Sequence, residues 1–237
     1  VKSALGGSST ALIALLKALS KLSVATGGKK CSGREILHMG YHLEDGVSGG
    51  NCGIQDQAAA VYGGVNRWTW RYGERVSPFM RARLLDMNGQ RELSKRILVA
   101  FSGKGHASLR INRAWINDFL SGVTRSGWVK VNEVVNALAR AIKAKEWDKA
   151  ARLLKKEMAI RRDITPDALI PITEELVDRA ENAGCGARFA GAGGGGTVWA
   201  LGEMDRINDL RKIWEGILTP IRGGRILECE IDPMGTR

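Results

Sequence analysis

The sequence predicts an α+β chain of two layers. Three observations predict it. A nearly all-apolar helix, Ala11 to Leu19, follows a Gly-Gly-Ser-Ser-Thr turn at 6–10. Arg96 to Phe101, RILVAF, has the composition of a buried strand and runs into a polar turn, Ser102-Gly103-Lys104-Gly105-His106, that opens a helix. Two further strand-like runs, Ala187 to Ala190 and Thr197 to Leu201, bracket four consecutive glycines, Gly193 to Gly196. Helical stretches fill the chain between these strands, which favours helices layered on a sheet.

The first ten residues, VKSALGGSST, form the first signal in chain order. The Gly-Gly turn delivers Ser8, Ser9 and Thr10 into the first turn of the helix ALIALLKAL. The free N–H groups of that turn and the positive end of the helix dipole make a preformed anion site. No Gly-Lys-Ser/Thr follows, so this is not a P-loop of the Walker type. The alternative is a serine N-cap with a tight turn before the helix. A helix apolar on nearly every side is normally buried in a core.

A Gly/Lys/Ser loop, Thr26 to Gly33, leads to a helix from about Arg34 to Glu44, with Ile36, Leu37, Met39 or Gly40, and Leu43 as its stripe. Glu44 closes this helix.

Twelve residues on comes Asp56, inside GGNCGIQDQAAAVYGG at 49–64. Gln55 and Gln57 flank it, glycines frame it, and an alanine-rich helix follows. A lone acid in such a bend suits a positioned base, or else an ordinary N-cap aspartate. If the Gly-rich link folds back, Glu44 and Asp56 meet in space, and Glu44 could hold Mg²⁺, a hard cation that prefers oxygen.

VNRWTWRY at 65–72 alternates with period two and reads as a strand, Trp68 and Trp70 lying in the core. Gly73 to Met87 reads as mixed strand and loop. A helix follows from Ala107 to Leu120, with Asn112 and Arg113 near its start, and helices then dominate from Lys130 to about Arg162. Pro166 and Pro171 frame a turn and a further helix to about Asn182. Four glycines between two strands are costly for a flexible chain. They read as a tight loop admitting a ligand or another backbone. A helix from Met204 to Leu218 and a strand from Arg225 to Ile231 finish the chain.

Composition narrows the partners. The chain has 237 residues, enough to bury a sizeable core, and at 44% hydrophobic and 26% charged it reads as an ordinary globular protein. Its net charge of +11 invites phosphate-bearing partners. The densest basic run, Lys143 to Arg162, interleaves Glu146, Asp148 and Glu157, the pattern of a solvated helix face. No nucleic-acid-reading motif occurs, so nucleic acid is not an expected partner. Cys31, Cys52, Cys185 and Cys229 form no CxxC pair and read as free thiols of a reducing compartment. His38, His42 and His106 have no ligand spacing with them. There is no signal-peptide pattern, and Ala11 to Leu19 is too short for a membrane span and contains Lys17. The expectation is a cytoplasmic protein without a membrane partner.

Three Gly-rich segments stand in order: Leu5-Gly6-Gly7-Ser8-Ser9, Gly53-Ile54-Gln55-Asp56-Gln57, and Gly191-Ala192-Gly193-Gly194-Gly195-Gly196. In this the chain resembles the GHMP kinase family, which includes galactokinase, homoserine kinase, mevalonate kinase and the heptose and fucose kinases. The resemblance spans essentially the whole chain. Asn51-Cys52-Gly53-Ile54 is similar to galactokinases. Gln55-Asp56-Gln57-Ala58-Ala59 through Gly63-Gly64, and Phe101-Ser102-Gly103 leading into Ser108 and Asn112, look more like the heptose-phosphate and fucose kinases.

The resemblance implies a two-lobe fold divided near Glu92, residues 1–92 and 93–237, with a ferredoxin-like C-terminal lobe, and ATP- and Mg²⁺-dependent phosphorylation of a sugar or sugar phosphate. It implies a heptose 7-phosphate-like acceptor first, fucose or galactose next, and a monomer or homodimer. It assigns Leu5, Gly6, Gly7, Ser8 and Ser9 to the ATP phosphates, Ser8 and Glu44 to Mg²⁺, and Asp56 to the attacking hydroxyl. Gln55, Gly193, Gly194 and Gly195 go to the substrate. The family begins with a further N-terminal segment carrying its first motif, whereas here Val1 lies just before the second and Ala4 stands where a glycine precedes Leu5. The expectation is therefore a truncated N-terminal lobe, an uncovered face on the helix at 11–19, and a chain whose own catalytic competence is open. A nucleotide- or sugar-binding module without turnover is the alternative. A binder of phosphate-rich polymers rests on net charge alone.

Overall fold

The computed structural model describes residues 5–49, 52–70, 79–105 and 108–237. The expectations for Arg71, Tyr72, residues 73–78, His106 and Ala107 lie outside the described residues, as do Asn51 and Ala4 of the motif comparison. By contacts the chain forms two compact units.

The first unit is Leu5–Gly64 with Ile231–Arg237. Its helices are α1 (Gly7–Ala25), α2 (Gly33–Ser48) and α3 (Gln55–Tyr62), each packed on the other two. Ile13, Ile36, Leu37, Ala58 and Val61 are buried between them. Gly40 lets α1 and α2 come close, since a Cβ there would stand 2.5 Å from Ile13 Cδ1.

Helix α1 corrects one expectation. Only Ser9, Ile13 and Ser20 are fully buried on it, whereas Leu15, Leu19 and Leu22 are more than half exposed. Within this unit, two neighbouring helices cover one stripe of α1 and leave its other apolar side bare, as expected for an uncovered face. At 19 residues α1 is also longer than the sequence suggested, and it is long and apolar enough to cross a membrane by length and composition.

Helix α2 starts with a capping box. Glu35 N donates to Ser32 Oγ (3.3 Å) and Ser32 N to Glu35 Oε2 (2.7 Å). It runs one turn beyond Glu44, which is therefore inside the helix rather than its last residue.

The chain's last residues pair with the end of α3 and the residues after it: Thr236 N donates to Ala60 O (2.7 Å), and Gly64 N donates to Asp232 O (2.6 Å). Lys17 Nζ reaches both Val61 O and Thr236 O, and burial holds its pKa below the ordinary value.

The second unit contains Val65–Glu230. It opens with the antiparallel pair β1 (Asn66–Trp70) and β2 (Phe79–Arg83). Trp68 and Trp70 stack at 5.7 Å and both meet the Phe79 ring edge-on. They are not core residues: Trp70 is 41% exposed and Trp68 only partly buried, because a two-stranded ribbon has no second layer of its own. Helix α4 (Met87–Ser94) follows, capped by Asp86, whose Oδ1 accepts from Gly89 N at 2.7 Å.

Then come β3 (Ile97–Ser102), α5 (Ser108–Ser121), α6 (Arg125–Lys143), α7 (Trp147–Ile164), a 3₁₀ turn at Pro166–Ala168, and α8 (Pro171–Asn182). The chain continues as β4 (Gly186–Phe189), β5 (Thr197–Leu201), α9 (Met204–Leu218) and β6 (Gly224–Leu227). The sheet order is β4-β5-β3-β6, antiparallel throughout. This β-α-β-β-α-β succession is the ferredoxin-like arrangement expected for the C-terminal lobe. Leu98, Ala100, Ala187, Val198 and Ala200 of the sheet pack with Met158, Leu176, Leu210 and Trp214 of the helices. Trp214 Nε1 donates to Leu176 O (3.0 Å), so the largest core side chain has its polar atom satisfied.

Candidate active site

The first unit brings the two N-terminal motifs together. Gly6 is the N-cap of α1 in the left-handed region, φ 61°. It turns the chain so that Gly7, Ser8 and Ser9 begin the helix. The first intrahelical bond is Thr10 N to Gly6 O (2.9 Å), so by helix geometry the N–H groups before it have no partner within α1. Ser8 is the second helical residue, not the cap, and Gly6 supplies no side chain to cap with. The serine-cap alternative is thereby set aside.

Ser8 Oγ instead donates to Glu44 Oε1 at 2.9 Å. The other oxygen of that carboxylate, Oε2, accepts from Gln57 Nε2 at 2.6 Å. Glu44 is half-buried, Ser8 exposed and Gln57 fully buried. Next to Glu44, Asp45 Oδ1 accepts from Cys52 N (3.1 Å) and so ties the Gly-rich link back to the end of α2. The Cys52 thiol sits 3.3 Å from Gln57 Nε2, and burial pushes its pKa up.

Asp56 is the second residue of α3, whose N-cap is Ile54, so the aspartate-cap alternative fails as well. Its carboxylate lies over the turn before α1. A Cβ on Gly6 would stand 2.8 Å from Asp56 Cγ and 3.1 Å from Oδ2. Gln55 is exposed and folds back on Gly53, where a Cβ would stand 2.4 Å from Gln55 Oε1. Leu5 is exposed, Gly7 has open space beside it, and Ser9 is buried. Sequence reasoning gave Gln57 and Asp45 no role. The signal for Gln57 was a polar side chain at a position of α3 whose neighbours Ala58 and Val61 are apolar and buried.

Gly193, Gly194 and Gly195 belong to the second unit, in the turn between β4 and β5. Gly191 and Gly193 to Gly196 all have positive φ. Gly194 N donates to Ala168 O (2.7 Å) and Gly196 N to Lys104 O (2.9 Å). A Cβ on Gly193 would meet Ala168 O at 2.3 Å, and one on Gly195 would meet Gly105 O at 2.6 Å. The run of glycines therefore admits other backbone, one of the two readings its sequence left open.

Among the described residues, no group of three or more His, Cys, Asp or Glu could hold a metal ion. All four cysteines are free thiols.

A family model described as GHMP kinases N terminal domain matches residues 1–64, and one described as GHMP kinases C terminal matches residues 138–215. No curated protein matches the chain by sequence. Among solved structures, Lactococcus lactis galactokinase complexed with galactose has a TM-score of 0.74 at 17% identity, over 100% of this chain and 68% of that one. For L. major mevalonate kinase in complex with R-mevalonate the TM-score is 0.71 at 18% identity, over 97% and 66%. For a D-glycero-D-manno-heptose 1-phosphate kinase from Bacteroides thetaiotaomicron it is 0.70 at 19% identity, over 99% and 63%. At these identities the likeness shows the fold, and the chain spans about two thirds of the length of these proteins. The two family matches, in order along the chain and taking in more than half of it, make this protein a member of the GHMP kinase family.

Proposed function

We propose that the chain carries the phosphate-binding and catalytic parts of a small-molecule kinase that moves the γ-phosphoryl group of ATP to a hydroxyl of a sugar or sugar phosphate. One observation supports this most: the Asp56 carboxylate lies against Gly6, at the turn that opens the N-terminus of α1. A carboxylate beside a ready-made phosphate site is what in-line transfer to a hydroxyl asks for. Leu5 to Ser9 supply the turn and the N–H groups that receive phosphate oxygens. Asp56 accepts the proton of the attacking hydroxyl, or orients it. Gln55, beside it and exposed, contacts the acceptor, and Gly193, Gly194 and Gly195 contact substrate through their backbone.

The residues present fit Mg²⁺. Ser8 and Glu44 offer one hydroxyl and one carboxylate, already within 2.9 Å of each other at a helix N-terminus. A cation that keeps several waters and phosphate oxygens needs few protein ligands, so the small donor set suits it. When bound, the ion neutralises charge on the phosphates.

A heptose phosphate is the preferred acceptor, then fucose or galactose, on the resemblance of Gln55 to Gly64 to those kinases. The lobes are proposed as 1–92 and 93–237, and the protein as a cytoplasmic monomer or homodimer. The test is ADP formation from Mg-ATP over a panel of sugars and sugar phosphates, repeated with Glu44→Ala. Acceptor-dependent ADP with a raised Mg²⁺ requirement in the variant supports the reading. An unchanged Mg²⁺ titration removes Glu44 from the metal site, and nucleotide binding without turnover on any acceptor favours a binding module.

A further inference from the structure

Gln57 poses a problem that its surroundings sharpen. It is fully buried at the third position of α3, beside Ala58, Ala60 and Val61. A carboxylate only accepts hydrogen bonds, so the NH₂ end of the amide must face Glu44, as it does at 2.6 Å. That orientation strands the other end: among the described residues, Gln57 Oε1 is buried without a hydrogen-bond partner. An unsatisfied buried acceptor destabilises a fold, and an apolar side chain of this size would avoid it. For stability alone, position 57 favours methionine or leucine.

We infer that Gln57 is a positioning residue: its amide fixes the Glu44 carboxylate so that Oε1 faces Ser8, and it does so at the expense of stability. The inference rests on the kinase reading above. Glu44 is on α2 and Ser8 on α1, so the carboxylate must bridge two helices with one oxygen. A glutamate side chain has several rotatable bonds, and a half-exposed one samples many rotamers unless its second oxygen is held. Gln57 Nε2 holds that oxygen. Partners of this kind set the orientation of metal-ligating groups and tune metal affinity.

The experiment titrates Mg²⁺ into protein with ADP and follows nucleotide binding by calorimetry, alongside thermal unfolding, for wild type, Gln57→Met and Gln57→Asn. Gln57→Met is expected to keep or raise the Tm, leave metal-free ADP binding unchanged, and raise the Mg²⁺ needed for half-maximal binding by about 10- to 100-fold. Gln57→Asn keeps an amide but shortens its reach, and it must raise the Mg²⁺ requirement too. It carries the test if the methionine variant does not fold. A lowered Tm with an unchanged Mg²⁺ requirement means a structural glutamine and overturns the inference while the kinase reading stands. Absence of Mg²⁺-dependent ADP binding in wild type overturns the kinase reading and this inference with it.

Discussion

Asp56 lies so close to Gly6 that a side chain there would force it to move: a Cβ on Gly6 would be 2.8 Å from Asp56 Cγ. The same glycine has φ 61°, which L side chains adopt only at a cost of about 1–2 kcal/mol. One position thus sets both the turn that opens the proposed phosphate site and the seat of the candidate base.

Gly6→Ala is therefore expected to displace the Asp56 carboxylate while the protein still folds. Misplacement of a catalytic group by about 1 Å can cost about 100-fold in rate. Turnover with Mg-ATP should fall by about that factor, with the circular dichroism spectrum unchanged. Wild-type turnover in Gly6→Ala would contradict the contact.

In the second unit, Glu157 on α7 is the buried anion of a cationic cluster. Its Oε1 accepts from Arg161 Nε (2.7 Å) and Arg188 Nη1 (3.3 Å). Arg161 also lies over the Trp128 ring at 4.2 Å, and burial lowers the Arg188 pKa to about 10. Glu157→Gln leaves two guanidinium groups without their counter-ion. The expected loss is about 3–5 kcal/mol of unfolding free energy, read by urea denaturation. A loss below about 1 kcal/mol would mean that solvent screens the cluster.

These two neighbourhoods show what the sequence could and could not convey. The closing helix Met204–Leu218 and the strand Thr197–Leu201 fall where periodicity placed them, because their patterns are long or densely β-branched and aromatic. Helix α4 escaped. It has eight residues with Gly89 inside, and among its apolar side chains only Leu93 is buried, so its one local signal was Asp86 as cap. Helix α2 starts one residue before the expected Arg34, where Ser32 and Glu35, spaced as a capping box, mark its first turn. The exposure of Leu15, Leu19 and Leu22 was illegible in α1 itself, since it depends on how many neighbours cover the helix. At the site, the family resemblance pointed to Ser8, Glu44 and Asp56. The hydrogen bond from Gln57 to Glu44 is a tertiary contact between α3 and α2 that no local pattern encodes.

His38 on α2 gives the first unit a pH response. Burial, then His42 and Arg34, hold its pKa below the ordinary histidine value. Below about pH 6.5 the unfolded chain takes up this proton while the folded chain resists it, so stability is full above that value and falls as pH drops through the depressed folded pKa. Between about pH 7.5 and 5.5 the wild-type Tm should fall more than that of His38→Gln. Parallel curves would remove His38 as a cause.

The most direct test of the central claim compares wild type with Asp56→Asn in acceptor-dependent ADP formation from Mg-ATP, with Mg-ATP binding measured on both. The account predicts a loss of turnover of about 10²- to 10⁴-fold in Asp56→Asn, with Mg-ATP binding largely kept. Undiminished turnover in that variant would contradict the assignment of Asp56 to the acceptor hydroxyl.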